Sequence, residues 1–345
     1  MQAESATPVR DPVSSAPGDA ARRLNGLRLP PRAQGRLRRL SVVSPVYGCK
    51  GCLEELADRV RRACAGIADE VEIILVDDAS PDLAWPRIRE ICAAAGDVRG
   101  LKLSRNFGQH YAISAGVEAA RGDAVVVMDC DLQDPPEFIP ALVEAWQASG
   151  ADVAMAARAD RKDSAFKRFT SFAFSRLLSR LTGVPHDHRT ANFGMYSRRA
   201  IAAVNAMPES DRCFPLMVKW LGLPTVLVPV PHAERAEGRS GYTLRRLLRL
   251  ALDIVLSYSD KPLRLVIRAG LLLATFAIVF AAWSVFRYLD GDIAIAGFTS
   301  IIASIWLLGG ATVFCIGVTG LYLGRLFNAA KGRPAYIVSE DTAQP

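Results

Sequence analysis

Between Leu40 and about Ala233 the chain alternates short, almost wholly apolar runs with longer helical stretches. The runs are LSVVSP, VEIILVDD, VRGLKLS, DAVVVMD and ADVAMAAR, and the stretches between them extend from Gly51 to Ala68, Leu83 to Ala95, Gln109 to Ala120 and Pro136 to Gln147. Strands that are apolar throughout must be covered on both faces, so strands separated by helices predict an α/β fold with a mostly parallel sheet. In such sheets ligands bind beyond the carboxyl ends of the strands.

Farther along, the pattern changes from alternation to length. Ala269 to Phe286 is an 18-residue run without a charge, and Ile293 to Gly324 is a second of 32 residues. About 20 apolar residues span a bilayer core as a helix, so two transmembrane helices are expected, with Trp283, Tyr288 and Tyr322 at interfacial positions. Lys261, Arg264 and Arg268 precede the first run and Arg325, Lys331 and Arg333 follow the second. The positive-inside rule then places both ends in the cytoplasm. The stretch YTLRRLLRLALDIVLSYS, just before, suits an amphipathic helix lying at the headgroups or packed on the preceding domain.

Five segments follow: a disordered basic tail over 1–39, an α/β domain over 40–242, an interfacial helix over 243–262, two transmembrane helices within 263–325 and a cytoplasmic tail over 326–345. The charge sharpens only the first. The chain carries 42 Lys and Arg against 35 Asp and Glu, yet eight of those Arg fall within the first 40 residues against three acids. With no aromatic residue to stack on bases, this tail excludes nucleic acid as the expected partner. The seven cysteines are scattered and odd in number, which suggests no disulfide framework and a reducing compartment. Cys49-x-x-Cys52 lacks the second pair that a structural zinc site needs.

Candidate chemistry gathers at the predicted strand ends: Pro45, Val46 and Tyr47 after the first, Asp77 and Asp78 after the second, Arg105 and Asn106 after the third, Asp129 and Asp131 after the fourth. No G-x-G-x-x-G turn and no Walker loop is present, which argues against a dinucleotide or P-loop site. Carboxylates two residues apart beyond a strand can hold a hard divalent cation while leaving room for substrate phosphates. Asp134 and Glu137 instead suit the start of the next helix, where negative charge complements the dipole.

The segments SPVYG, EIILVDDASPD, LKLSRNFGQHYAISAGVEAARGDAVVVMDCDLQDPPEFIPALVEAW, DKPLRL and KGRPAYIV, in this order, resemble the GT-A, family 2 glycosyltransferases that act on polyprenyl phosphate, over about residues 40 to 338. The resemblance implies a Rossmann-like GT-A domain followed by two membrane helices. It also implies a nucleotide-sugar site of Pro45, Tyr47, Asp77, Asp78, Arg105, Asp129 and Gln133, with Gln133 lining the sugar pocket. Asp131, with Asp129, would hold Mg²⁺ or Mn²⁺ at the diphosphate. Arg235, Arg239, Ser240 and Tyr242 would meet the acceptor phosphate, and Asp131, Asn192 and Arg235 would carry catalysis. Cys130, where such proteins commonly have Ala, would point into the sheet's packing.

Two positions depart from the family pattern. Asn192 stands where many members have an Asp often viewed as the acid-base position, and Gly241 stands where Lys is frequent, with Arg239 as a substitute charge. Asn cannot take a proton, but a phosphate monoester is already mostly dianionic at neutral pH and needs positioning rather than a base. His186, Asp187 and His188 are further polar candidates for base or sugar contacts.

The expectation is therefore an inverting, metal-dependent transfer of sugar from a nucleotide-sugar, UDP-linked by preference, to undecaprenyl or a similar polyprenyl phosphate. The enzyme would sit in the inner membrane as a multi-pass protein with its catalytic domain in the cytoplasm, and homo-oligomerisation is left open. The alternatives are a glycosyltransferase with a hydroxyl acceptor, or a non-catalytic membrane-bound binder of nucleotide-sugars. A processive polysaccharide synthase would need a Q-x-x-R-W motif, which MVKWLG does not supply.

Overall fold

A computed structural model describes residues 29–30, 35–158, 190–230, 261–289 and 297–343. The chain divides into two compact units, one built around a sheet and one containing two long helices.

The sheet has eight strands: β1 Leu37–Val46, β2 Ala68–Asp77, β3 Val98–Leu103, β4 Ala124–Val127, β5 Val153–Arg158, β6 Thr190–Ser197, β7 Thr225–Val230 and β8 Val338–Asp341. Their order is β7-β5-β6-β4-β1-β2-β3-β8. β1 pairs parallel with β2 and β4, β2 with β3, and β5 with β7, whereas β6 runs antiparallel to β4 and β8 antiparallel to β3. This is the mostly parallel, Rossmann-like sheet that the GT-A resemblance implies. The chain winds from β1 outward through β2 and β3, then returns to place β4 on the other side of β1. The crevice between the ends of β1 and β4 is therefore the topological switch point, where open α/β sheets bind ligands.

Alternate residues of each central strand enter different cores, which is why these strands read as continuous apolar runs. Val42, Ile73, Leu75 and Val126 belong to one core; Val43, Ile74, Val76, Val125 and Val127 belong to the other. The first is covered by α1 Leu53–Cys64, α2 Ala84–Ala94 and α4 Ile139–Ser149; the second by α3 Gln109–Ala119, α5 Arg198–Ala206 and α6 Phe214–Trp220. The helix ends follow ordinary rules. α1 opens with Glu54 and Glu55 and closes with Arg61 and Arg62, matching its dipole. The Ser197 side chain caps α5 by accepting from the Ala200 amide, and Gly150 ends α4 in the left-handed region, as caps of these kinds require.

Two boundaries differ from expectation. β1 begins at Leu37, inside the segment read as tail, because Asp123 accepts from the amides of Arg38 and Arg39 at 2.9 and 3.1 Å and anchors the strand's start. The segment after the second long helix is not a free tail. Its β8 is stitched to β3: Arg99 forks onto Asp341 at 3.0 and 2.7 Å, Lys102 and Trp85 both donate to Glu340, and Thr342 exchanges hydrogen bonds with Gly100.

In the other unit, α7 Lys261–Leu289 and α8 Phe298–Ala330 are long and apolar enough to cross a membrane, over Leu263–Phe280 and Leu307–Ala330. α7 extends beyond both ends of the run that predicted it, whereas α8 starts inside its run and ends beyond it. Leu271, Leu272, Phe276, Ile278, Phe314 and Ile316 lie exposed, apolar surface of the kind that a bilayer would cover. Thr275, Thr312 and Thr319 donate their hydroxyls to carbonyls four residues back, so these polar groups are satisfied within the helix. Residues 243–260 of the expected interfacial helix lie outside the described residues, and Lys261 and Pro262 belong to α7.

Candidate functional site

The site is assembled where β1, β2, β3 and β4 end. Register explains the convergence: Val46 lies opposite Asp77 and Val43 opposite Val127, so the segments leaving these strands emerge on one rim. Pro45 is buried near the end of β1, and Tyr47, the next side chain out after Val46, is 54% exposed. A ring so presented can stack on a planar base.

The two acids after β2 are both buried and differ in use. Asp77 Oδ1 accepts from the Ser80 amide at 2.9 Å, closing the turn after the strand. Asp78 receives the amides of Phe107 and Gly108 on its two oxygens, at 2.8 and 2.9 Å. Burial raises both carboxyl pKa values, and the backbone donors oppose that rise. Asp78 thus braces the loop between β3 and α3, in which Gly108 has φ +110° and Arg105 lies 4.3 Å from the Phe107 ring centroid. The geometry makes Asp78 first a holder of that loop.

The brace matters because it sets the start of α3, where Gln109 projects. Gln109 Nε2 donates to Asp129 Oδ1 at 2.6 Å, and Asn192 Nδ2 reaches the same oxygen at 3.4 Å. The second contact follows from the antiparallel register of β4 and β6. Val127 faces Gly194, and two residues further in opposite directions come Asp129 and Asn192. Asn192 therefore stands beside the first acid of D-C-D. Gln109 was missed in the sequence, where RNFGQH offered only a helix start; its partner is 20 residues away.

Asp131 turns the loop on itself. Its Oδ1 accepts from the Gln133 amide at 3.2 Å, and Leu132 between them has φ +60°. This is an Asx-type turn with an uncommon left-handed Leu. Asp129, Asp131 and Gln133 are all half-buried on this loop. Among the described residues no three His, Cys, Asp or Glu side chains gather as a closed metal cage. Two carboxylates with neighbouring amides fit a hard cation that completes its shell with water and ligand phosphates.

One expectation is corrected, one is extended and several lie beyond what the structure describes. Cys130 packs into the core beneath the sheet as expected, but it is also bonded to Cys49, with Cα atoms 6.3 Å apart, so the cysteines do include a disulfide. The parallel pairing of β1 and β4 explains it, since residues just past both strands meet at one rim. Glu137 does more than open a helix: it receives a two-pronged contact from Arg59 of α1, each at 2.8 Å. Arg235, Arg239, Ser240 and Tyr242, with His186, Asp187 and His188, lie outside the described residues.

Residues 41–204 match the family model described as glycosyl transferase family 2. The chain is 34% identical over 301 residues to the prophage bactoprenol glucosyl transferase homolog of Escherichia coli K12, covering 87% of this chain and 98% of that protein. It is 37% identical over 304 residues to an undecaprenyl-phosphate 4-deoxy-4-formamido-L-arabinose transferase of Pseudomonas fluorescens, covering 87% and 89%. Among solved structures it is similar to glucosyl-3-phosphoglycerate synthase of Mycobacterium tuberculosis in complex with Mn²⁺, UDP and glucosyl-3-phosphoglycerate. That match has TM-score 0.46 and 18% identity over 72% of this chain and 85% of the other.

Proposed function

The chain belongs to glycosyl transferase family 2, and from that premise we propose that it transfers a sugar from a nucleotide-sugar, UDP-linked by preference, to a polyprenyl phosphate. The observation that carries this reading is the rim itself: Asp129 and Asp131 leave the sheet at the switch point, with Gln109 and Asn192 on Asp129 and Tyr47 across the crevice. The names of the curated relatives supply the acceptor class.

Tyr47 supports the base by stacking, and the turn carrying Asp77 lines the ribose side of the crevice. Asp129 and Asp131 would hold a divalent cation, Mg²⁺ or Mn²⁺, which when bound neutralises charge on the diphosphate leaving group. Gln109 and Asn192 donate to Asp129, and Asp131 accepts from the Gln133 amide within the Asx turn. Gln133 faces the sugar. Alignment and charge stabilisation then carry most of the rate, with inversion at the anomeric carbon as the acceptor oxygen attacks opposite the leaving group.

Asn192 favours a phosphate acceptor over a hydroxyl. Its amide donates toward Asp129 and cannot serve as a base, whereas a dianionic phosphate needs none. Arg235 and Arg239, with Ser240 and Tyr242, are assigned to that phosphate. The two long apolar helices fit an enzyme held in the inner membrane with its site in the cytoplasm, close to a lipid-borne acceptor. Purified protein with Mn²⁺, a short polyprenyl phosphate and labelled nucleotide-sugars tests this. Transfer should survive Asn192→Ala and vanish in Asp131→Asn. Donor binding without product from any donor would favour a non-catalytic binder.

A further inference from the structure

The Cys49–Cys130 bond ties together the two segments that form the walls of the switch-point crevice. Cys130 sits between Asp129 and Asp131, and Cys49 follows Tyr47 and Gly48. The two ends of the bond are unequally supported. The segment around Cys49 is pinned independently: the Gly48 amide donates to Ser80 Oγ at 2.7 Å, the Lys50 amide donates to Asp82 at 2.8 Å, and Ser80 itself donates to Asp82. The D-C-D loop passes through an Asx turn and a left-handed Leu132, a conformation that costs free energy unless something holds it. The bond thus joins a fixed post to a loop that needs one.

We propose that Cys49 and Cys130 form a reversible thiol pair whose oxidation positions Asp129 and Asp131 for the metal-bound diphosphate, so that donor affinity follows the redox state. The proposal rests on the reading of this rim as a nucleotide-sugar site. The co-reactant is a low-molecular-weight disulfide, RSSR. One cysteine thiolate attacks a sulfur of RSSR and releases RS⁻; the other thiolate then attacks the mixed disulfide and releases the second RS⁻. The two thiol protons end on the two RSH products, RSSR is reduced by two electrons and the protein is oxidised by two. Cys49 and Cys130 are only 3% and 6% exposed, while Tyr47, Gly48 and Lys50 flanking Cys49 are open to solvent.

Ordering a loop before binding reduces what binding must spend on ordering it. An effect of about 0.5–1.5 kcal/mol corresponds to roughly two- to tenfold in affinity. Full-length protein in detergent is equilibrated in glutathione buffers from reducing to oxidising, and peptide mass after alkylation gives the bonded fraction. Binding of UDP with Mn²⁺ is measured by calorimetry in parallel. Affinity should rise roughly two- to tenfold with the bonded fraction, and in turnover the change should fall on the donor KM with kcat altered less. Cys130→Ala and Cys49→Ala should stay at the reduced wild-type value in every buffer, while Cys52→Ala should follow the wild type.

Affinity that stays flat as the bonded fraction runs from none to full would overturn the proposal, as would a melting shift without an affinity change or no bond in any buffer. Asp131→Asn separates the two levels. If the wild type binds Mn²⁺ and UDP and this variant does not, a flat redox response defeats only the thiol proposal. If the variant binds as the wild type does, the reading of the rim itself fails and the proposal with it.

Discussion

Asp78→Asn distinguishes a loop brace from a ligand to the nucleotide. In the wild type both carboxylate oxygens are used, on the amides of Phe107 and Gly108 at 2.8 and 2.9 Å, within a buried site. The substitution keeps one acceptor and turns an NH₂ group toward the other amide. One charge-assisted bond, about 1.5–3 kcal/mol, is lost and a buried donor is left without an acceptor. Relief of the carboxylate's desolvation, which raises its pKa, offsets part of that. A net loss of about 2–3 kcal/mol corresponds to a midpoint lower by roughly 4–12 °C for a domain of this size. Thermal unfolding followed by tryptophan fluorescence reads it, with donor KM measured below the transition. Because the loop carries Gln109, a modest rise in KM should accompany the lower midpoint. An unchanged midpoint with a large rise in KM would refute the brace and make Asp78 a direct ligand.

Gly116 of α3 lies so close to β1 that a Cβ would stand 2.3 Å from Val43 Cγ1 and 3.1 Å from Val76 Cγ2. Gly116→Ala should destabilise by about 1–3 kcal/mol through overpacking, and Val43→Ala in the same chain should recover part of the melting temperature. Asp341→Asn removes the fork that holds β8 to β3 and leaves a partly buried Arg99, at a cost of about 1–3 kcal/mol in urea unfolding. Arg99 holds the Asp341 carboxyl below the usual range, so this contribution is present above the unfolded pKa near 4 and is lost as pH falls through the folded value. His110 behaves differently: burial pulls its imidazole down to about 4, and its Nδ1 has no hydrogen-bond partner. The unfolded chain binds that proton first, so stability should fall between about pH 6.5 and 4 by about 3 kcal/mol, a slope that His110→Phe should remove.

The central strands were legible because burial on both faces leaves a plain signal: VVSP, EIILV and AVVV contribute alternate residues to two cores and contain almost nothing polar. The antiparallel members were not. β6, TANFGMYS, mixes Thr, Asn and Gly with its apolar residues because it carries site groups as well as packing, and β8, VSED, is short and mostly exposed. Its place in the sheet depends on Arg99, Gly100 and Lys102, more than 230 positions away. The site followed the same division. Asp129, Asp131 and Asn192 stood out by position after a strand or in a motif. Gln109 and the Cys49–Cys130 pair became visible only once β1, β3 and β4 were brought to a common rim. Asp78 shows the limit of motif reading, since its type and place were evident while its two backbone partners were not.

The most direct measurement compares acceptors. Purified protein with Mn²⁺ and its preferred labelled donor is offered a short polyprenyl phosphate or the free polyprenol of the same chain length, and radiolabel in the lipid phase is followed through the first turnovers. The account predicts transfer to the phosphate alone, because Asn192 supplies no base for a hydroxyl. Transfer to the alcohol at a comparable rate would contradict it.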